Sequence, residues 1–122
     1  MEVFTTRRDK NAWQWAVMIM TPEWIDRDMV ETARRTVTSK KDAPALLDRV
    51  RWEHLSEGLA VQTLHVASYD DEGPVLKTMH EEYIPDNDLV MTGKHHEIYR
   101  ADPRRTAPEK LRTLLRQPVI RT

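Results

Sequence analysis

Between residues 12 and 20 the sequence AWQWAVMIM alternates. Trp13, Trp15, Val17 and Ile19 share one face, and Ala12, Gln14, Ala16, Met18 and Met20 share the other, which predicts a β-strand. Both faces turn apolar after Trp15, so the second half is expected to be covered on both sides. In TPEWIDRDMVETARRTVTSKK (21–41) the period changes. Met29, Val30, Ala33 and Val37 recur at helical spacing, Thr21 and Asp26 are candidate N-caps, and Pro22 suits a first helical position. DAP at 42–44 interrupts the helix. Alternation returns in RVRWEHL (49–55) and LAVQTLHVAS (59–68), with SEG (56–58) between them, which predicts a hairpin with a Gly-containing turn. Residues 69–84 open with acids, as a helix N-terminus favours, and carry Val75, Leu76, Met79 and Tyr83 as a stripe; Pro85 is expected to end this helix. KHHEIYR (94–100) and RTLLRQPVI (112–120) predict two more strands. Thr106 and Glu109 in TAPE have the spacing of a capping box around Pro108 and predict at most one helical turn. Residues 1–11 are polar and predict a loop.

Strand, helix, hairpin, helix and two strands, joined by short loops, predict an α+β fold. The sheet should be mostly antiparallel, with the helices packed on one of its faces. A chain of 122 residues suffices for a single domain with a modest core. With 39% hydrophobic and 32% charged residues the chain has a soluble globular composition, too apolar for disorder.

A net charge of −1 does not steer the whole molecule toward nucleic acid. Seven acids against one lysine over 69–88, and seven basic residues against two acids over 100–122, make two solvated faces of opposite sign. Aromatics do not interleave with the C-terminal arginines, so no direct nucleic-acid contact is expected. The absence of cysteine excludes disulfides and thiolate metal sites and fits a reducing, cytoplasmic compartment. The longest apolar run, Ala16–Met20, is far too short to span a bilayer. HEEYI (80–84) lacks the second histidine of HExxH. His95 and His96 point to opposite faces of a strand, so no metal and no cofactor is expected.

The segment GKHHEIYRADPRR (93–105) is the most informative. Strand parity puts His95, Glu97 and Tyr99 on one face and His96 and Ile98 on the other. Spacing alone allows Glu97 to be a solvated edge-strand acid paired with an arginine, or a working carboxylate. Trp13 and Trp15 could stack on a flat ligand or serve as core. Trp52, sharing a face with Val50, reads as core, and Trp24 as packing before the helix. Tyr69 could donate to a ligand carbonyl or make a helix-capping contact. His65 reads as a satisfied, partly buried histidine, and Asp102, Arg104 and Arg105 as a turn held by charge pairs.

HVASYDDEGPVLKTMHEEY resembles the strand-to-helix junction of the GyrI-like small-molecule-binding domains, although Ala67 and Ser68 stand where that family often has Gly-Pro. WQWAVMIM, PALLDRVRWEHLSEGL and GKHHEIYRADPRRTAPEKLRTLLRQPV resemble a stand-alone bacterial branch of the same family, from about residue 2 to the end of the chain. The resemblance implies a domain built as a strand-helix-strand-strand module. Members of the branch include cyclopropanoid cyclopropyl hydrolases, which open the cyclopropane of DNA-alkylating natural products and so detoxify them. Other relatives only bind drugs or inhibit gyrase through protein contacts. Carried over, Glu97 matches the glutamate that faces the ligand pocket. The pocket is then expected to involve Trp15 as a wall, with Trp13, His65, Tyr69 and Tyr99 as further ligand-binding residues. The branch normally carries a further N-terminal module, and this chain is expected to lack it. A homodimer, pairing the apolar strand 12–20, is the expected assembly. Two readings follow: a hydrolase in which Glu97 activates water, and a module that sequesters or senses an aromatic or cationic small molecule with Glu97 as counter-charge. An interaction domain that needs no buried Glu97 is a third.

Overall fold

The computed structural model describes residues 14–122, and within it the chain divides into two compact units. Trp15–Ser56 forms one, and Glu57–Thr122 makes up the body of the other.

In Trp15–Ser56 the regular elements are the helix α1, Arg27–Thr38, and a 3₁₀ turn at Leu47–Arg49. Of the two candidate caps Asp26 does the work: its Oδ1 accepts from the Met29 amide at 2.9 Å. Ser39 closes the other end, its amide donating to the Arg35 carbonyl at 3.2 Å while the Lys40 amide donates to that of Val37 at 3.0 Å. Two expected strands are absent. Gln14–Met20 has no ladder partner among the described residues, and Val17, Ile19 and Met20 are almost fully exposed. Alternation supplies the propensity, but a strand needs a second backbone to satisfy its amides. Val50–Leu55 is irregular as well, so the expected hairpin does not form. There the Arg34 guanidinium, braced by Glu31, donates to the carbonyls of Leu47 and Val50 and engages the backbone that a ladder would use.

Glu57–Thr122 is built around one strand. β4, Arg112–Arg121, pairs antiparallel with β1, Ala60–Val66, along one edge. Its other edge takes two short strands in series: β3, His96–Tyr99, against Thr113–Arg116, and β2, Leu89–Met91, against Val119–Arg121. Pro118, with no N–H to give, stands at the changeover, and its carbonyl receives the Thr92 amide at 2.9 Å. β2 was not foreseen; three residues are too few for a period to register. The sheet is antiparallel throughout, as expected.

The second helical stretch begins as a 3₁₀ turn, Tyr69–Asp71, capped by the Ser68 hydroxyl rather than by Tyr69. It continues as α2, Glu72–Lys77, passes through a π-helical turn, Thr78–Tyr83, and ends as α3, Ile84–Asp86. The expected stripe is half right. Leu76 and Met79 are buried, but Tyr83 is 52% exposed and Ile84, one residue on, is 3% exposed. The π turn, in which the Ile84 amide reaches back to Met79, inserts the extra residue that rotates the stripe. Pro85 lies inside the last turn, and the helix ends one residue later, at Asp86. Leu76, Met79 and Ile84 pack on Leu115 and Val119 of β4, so this helix covers one sheet face. Thr106 caps nothing: the 3₁₀ turn Pro108–Lys110 starts at Ala107 without a side-chain cap. The fold is α+β with an open antiparallel sheet, and among the described residues no helix is long and apolar enough to cross a membrane.

Candidate active site

The register fixes which face each side chain takes. Glu97 lies opposite Leu115 and Tyr99 opposite Thr113, and both β4 residues are completely buried on the face that the helix covers. Glu97 is therefore on the inner face, its side chain only 10% exposed, and not a solvated edge acid. His96 and Arg116 share the opposite face, where Glu57 binds both, 2.8 Å from His96 Nε2 and 3.0 Å from Arg116 Nη1.

Around Glu97 the chain gathers a polar cluster in an otherwise apolar layer. The Tyr99 hydroxyl donates to Glu97 Oε2 at 3.0 Å. The ring of Tyr69, from the helical turn after β1, meets that of Tyr99 at a centroid distance of 5.3 Å. Burial, then the neighbouring Glu97, raises the Tyr99 pKa, and burial followed by Glu72 and Glu97 does so for Tyr69. Both phenols therefore keep their protons at neutral pH and are hydrogen-bond donors. His95 Nε2 stands 3.9 Å from Glu97 Oε1, close enough for an ion pair if the ring were charged. Burial, only partly opposed by Glu97 and assisted by His80 and His96, brings His95 down to about 4. At neutral pH the contact is thus a neutral imidazole beside a carboxylate.

Two functional candidates escaped the sequence. Glu72 is 1% exposed at the start of α2 and its charge is felt by both tyrosines, yet its position suggested only a favourable N-terminal acid. His80 is 6% exposed and its ring meets that of His95 at 5.6 Å. The spacing Glu72–Leu76–His80, i and i+4 repeated, was the available signal that both lie on the buried side.

The other expected residues fare differently. His65 is buried opposite Thr113, its Nε2 2.9 Å from the Ser68 carbonyl, where it fastens the turn that presents Tyr69. Trp15 is 55% exposed and belongs to the other unit, and Trp13 lies outside the described residues. Trp52 is half-buried within Trp15–Ser56, edge-on to His54 at 4.7 Å and beneath Arg27. Trp24 is 70% exposed. Asp102 holds its turn as expected, accepting from the Arg104 amide and guanidinium, which lower its pKa. Among the described residues no three His, Asp or Glu side chains converge as metal ligands. A groove of about 920 Å³ lies between β1 and the helix, lined by Val61, Thr63, Val75, Met79, Leu89 and Arg121 among others. It does not include Glu97, and it carries no carboxylate.

Residues 17–120 match the model of the GyrI-like small molecule binding domain. A hydrolase from Listeria innocua is similar in structure, with a TM-score of 0.69 and 33% sequence identity over 82% of this chain and 52% of its own. An uncharacterized conserved protein from the same organism has a TM-score of 0.66 and 34% identity over 82% of this chain and 50% of its own. This chain thus spans about half the length of these relatives. No curated protein matches it.

Proposed function

The chain belongs to the GyrI-like small-molecule-binding domain family, and from that premise we propose a hydrolase that opens the strained cyclopropane of DNA-alkylating natural products. The observation that carries this reading is Glu97: a carboxylate on the inner sheet face, 10% exposed, with one oxygen held by Tyr99 and the other facing a neutral His95. A carboxylate held in one orientation in a poorly hydrated site can take a proton from water. The water oxygen bonds to the cyclopropane methylene, and the ring C–C bond breaks. Its electron pair flows through the conjugated dienone to the carbonyl oxygen, which becomes a phenolate. Tyr69, kept protonated, donates a hydrogen bond to that oxygen as charge develops. Glu97 then returns its proton to the phenolate. The hydrolase description of the Listeria innocua relative supports an activity of this class.

A second reading has its own observation. Glu72 and Glu97 both raise the pKa of Tyr69 and Tyr99, so two acids stand within electrostatic reach of two adjacent aromatic rings, which could form a cage. Such a cage attracts an aromatic cation and needs no chemistry. The two separate cleanly on incubation with a cyclopropane-bearing alkylator. A hydrolase yields a product one water heavier by mass, and Glu97→Gln, which keeps the shape but cannot take a proton, slows this by about 10²-fold or more. Binding without a mass change, weakened by Glu97→Gln for cationic ligands alone, establishes the cage and refutes the hydrolase.

A further inference from the structure

His80 meets two oxygens. Its Nδ1 lies 2.8 Å from the Leu76 carbonyl and its Nε2 3.0 Å from Gln117 Oε1. The identity of that second atom is fixed by the other end of the amide. Gln117 Nε2 donates to the carbonyls of Thr92 at 3.0 Å and Pro118 at 3.1 Å; turned over, it would set an oxygen against two oxygens. A neutral imidazole has one N–H and one lone pair. In either tautomer the lone pair would face an acceptor at hydrogen-bond distance, inside a site that is 6% exposed. Both contacts are favourable only if both ring nitrogens carry hydrogen.

We propose that His80 is held as an imidazolium at neutral pH, a buried positive charge that acts through His95 as a positioning residue for Glu97. The groups that surround it make this consistent. From the segment before β3 comes His95, ring to ring at 5.6 Å, with Glu97 beyond it. On this face β4 presents Thr113, Leu115, Gln117 and Val119, none of them charged. On its own helix the nearest acid on the same side is Glu72, two turns back. A cation at His80 opposes a second one at His95. With His95 neutral, Glu97 is spared an ion pair that would blunt its basicity. The protonation of His80 stands on hydrogen-bond geometry alone, whereas its bearing on Glu97 rests on the proposed role of that residue.

The test reads proton positions, not turnover. Long-range ¹H–¹⁵N spectra of ring-labelled histidine should show two protonated nitrogens at His80 and a neutral ring at His95 at pH 7. A His80 ring with one bare nitrogen at that pH overturns the proposal in the unmodified protein. Two variants sharpen it. Gln117→Leu and Gln117→Glu both lose the amide that binds Thr92 and Pro118, but only the glutamate keeps an acceptor for His80. Gln117→Leu should leave His80 neutral at pH 7 and raise the pH at which His95 takes up a proton by roughly one unit. Gln117→Glu should retain the imidazolium. Equal behaviour of the two variants would mean that Gln117 is only structural, and the proposal fails. If Glu97→Gln leaves turnover intact while His80 is doubly protonated, the hydrolase reading fails and the imidazolium stands.

Discussion

In Glu57–Thr122, Leu76 and Leu115 are wholly shielded from solvent, and five buried apolar side chains form one cluster. In Trp15–Ser56 no described residue is buried, and the stripe of α1 is only partly covered, with Met29 at 47% exposure. Yet α1 has the cleaner local signals: an aspartate cap, twelve residues and no interruption. The helix of the other unit is broken into α2, a π turn and α3 and carries two prolines, Pro74 and Pro85. Local code is thus enough to shape a helix, but it does not make a core. A core arises where a stripe meets a sheet face, and β4 provides that face by pairing on both edges.

The sharpest way to break this contrast is to remove matched apolar volume from each unit. Leu115→Ala opens a cavity beneath the helix and should cost about 2–5 kcal/mol. Val37→Ala, at a half-covered position on α1, should stay within about 0.5 kcal/mol. Urea unfolding of both variants measures the difference, and equal losses would show that the stripe of α1 is buried in solution.

The next effect depends on pH and belongs to Glu57–Thr122 alone. An unfolded His95 takes up a proton near 6.5, the folded one only near 4. Between these values the unfolded chain binds more protons, so stability rises with pH across this window. Above it His95 contributes nothing, and below it the whole penalty applies. A displacement of that size corresponds to roughly 3 kcal/mol at most. His95→Gln should therefore be less sensitive than the parent to acidification from pH 7 to 4, by up to that amount. An unchanged pH slope would place His95 in water.

How far the sequence could be read follows the same division. Strands whose partner is a neighbour in the final sheet (β1, β3 and β4) were legible from alternation, and so was the face that Glu97 shares with Tyr99; that this face points inward was implied only by the family resemblance. Gln14–Met20 and Arg49–Leu55 alternate equally well, but pairing is a property of two segments and cannot be read from one. Three-residue β2 has no measurable period, and the π turn that exchanges Tyr83 for Ile84 leaves no mark in composition. Glu72 and His80 were hidden because acids at a helix start and polar residues on a helix are ordinarily solvated. Their burial follows from the covering sheet. Glu97 and Tyr99 share a hydrogen bond and Tyr69 meets the Tyr99 ring, whereas Trp15 belongs to the other unit.

The smallest effect tests the claim that α1 is shaped locally. Asp26 Oδ1 satisfies the Met29 amide, one of the donors that a helix start leaves over. It is exposed, and its loss creates no cavity. Asp26→Ala should cost about 1 kcal/mol, the usual worth of an N-cap. Because no buried cluster holds α1 in place, that cost should appear where it arises. Amide hydrogen exchange should quicken through the first turns of α1, while the β4 amides of Arg112–Arg121 keep their protection. Asp26→Asn, which caps about as well, should restore the slow exchange. Loss of protection in β4 along with α1 would mean that the two units unfold together, and that Trp15–Ser56 owes its helix to tertiary contacts rather than to its own sequence.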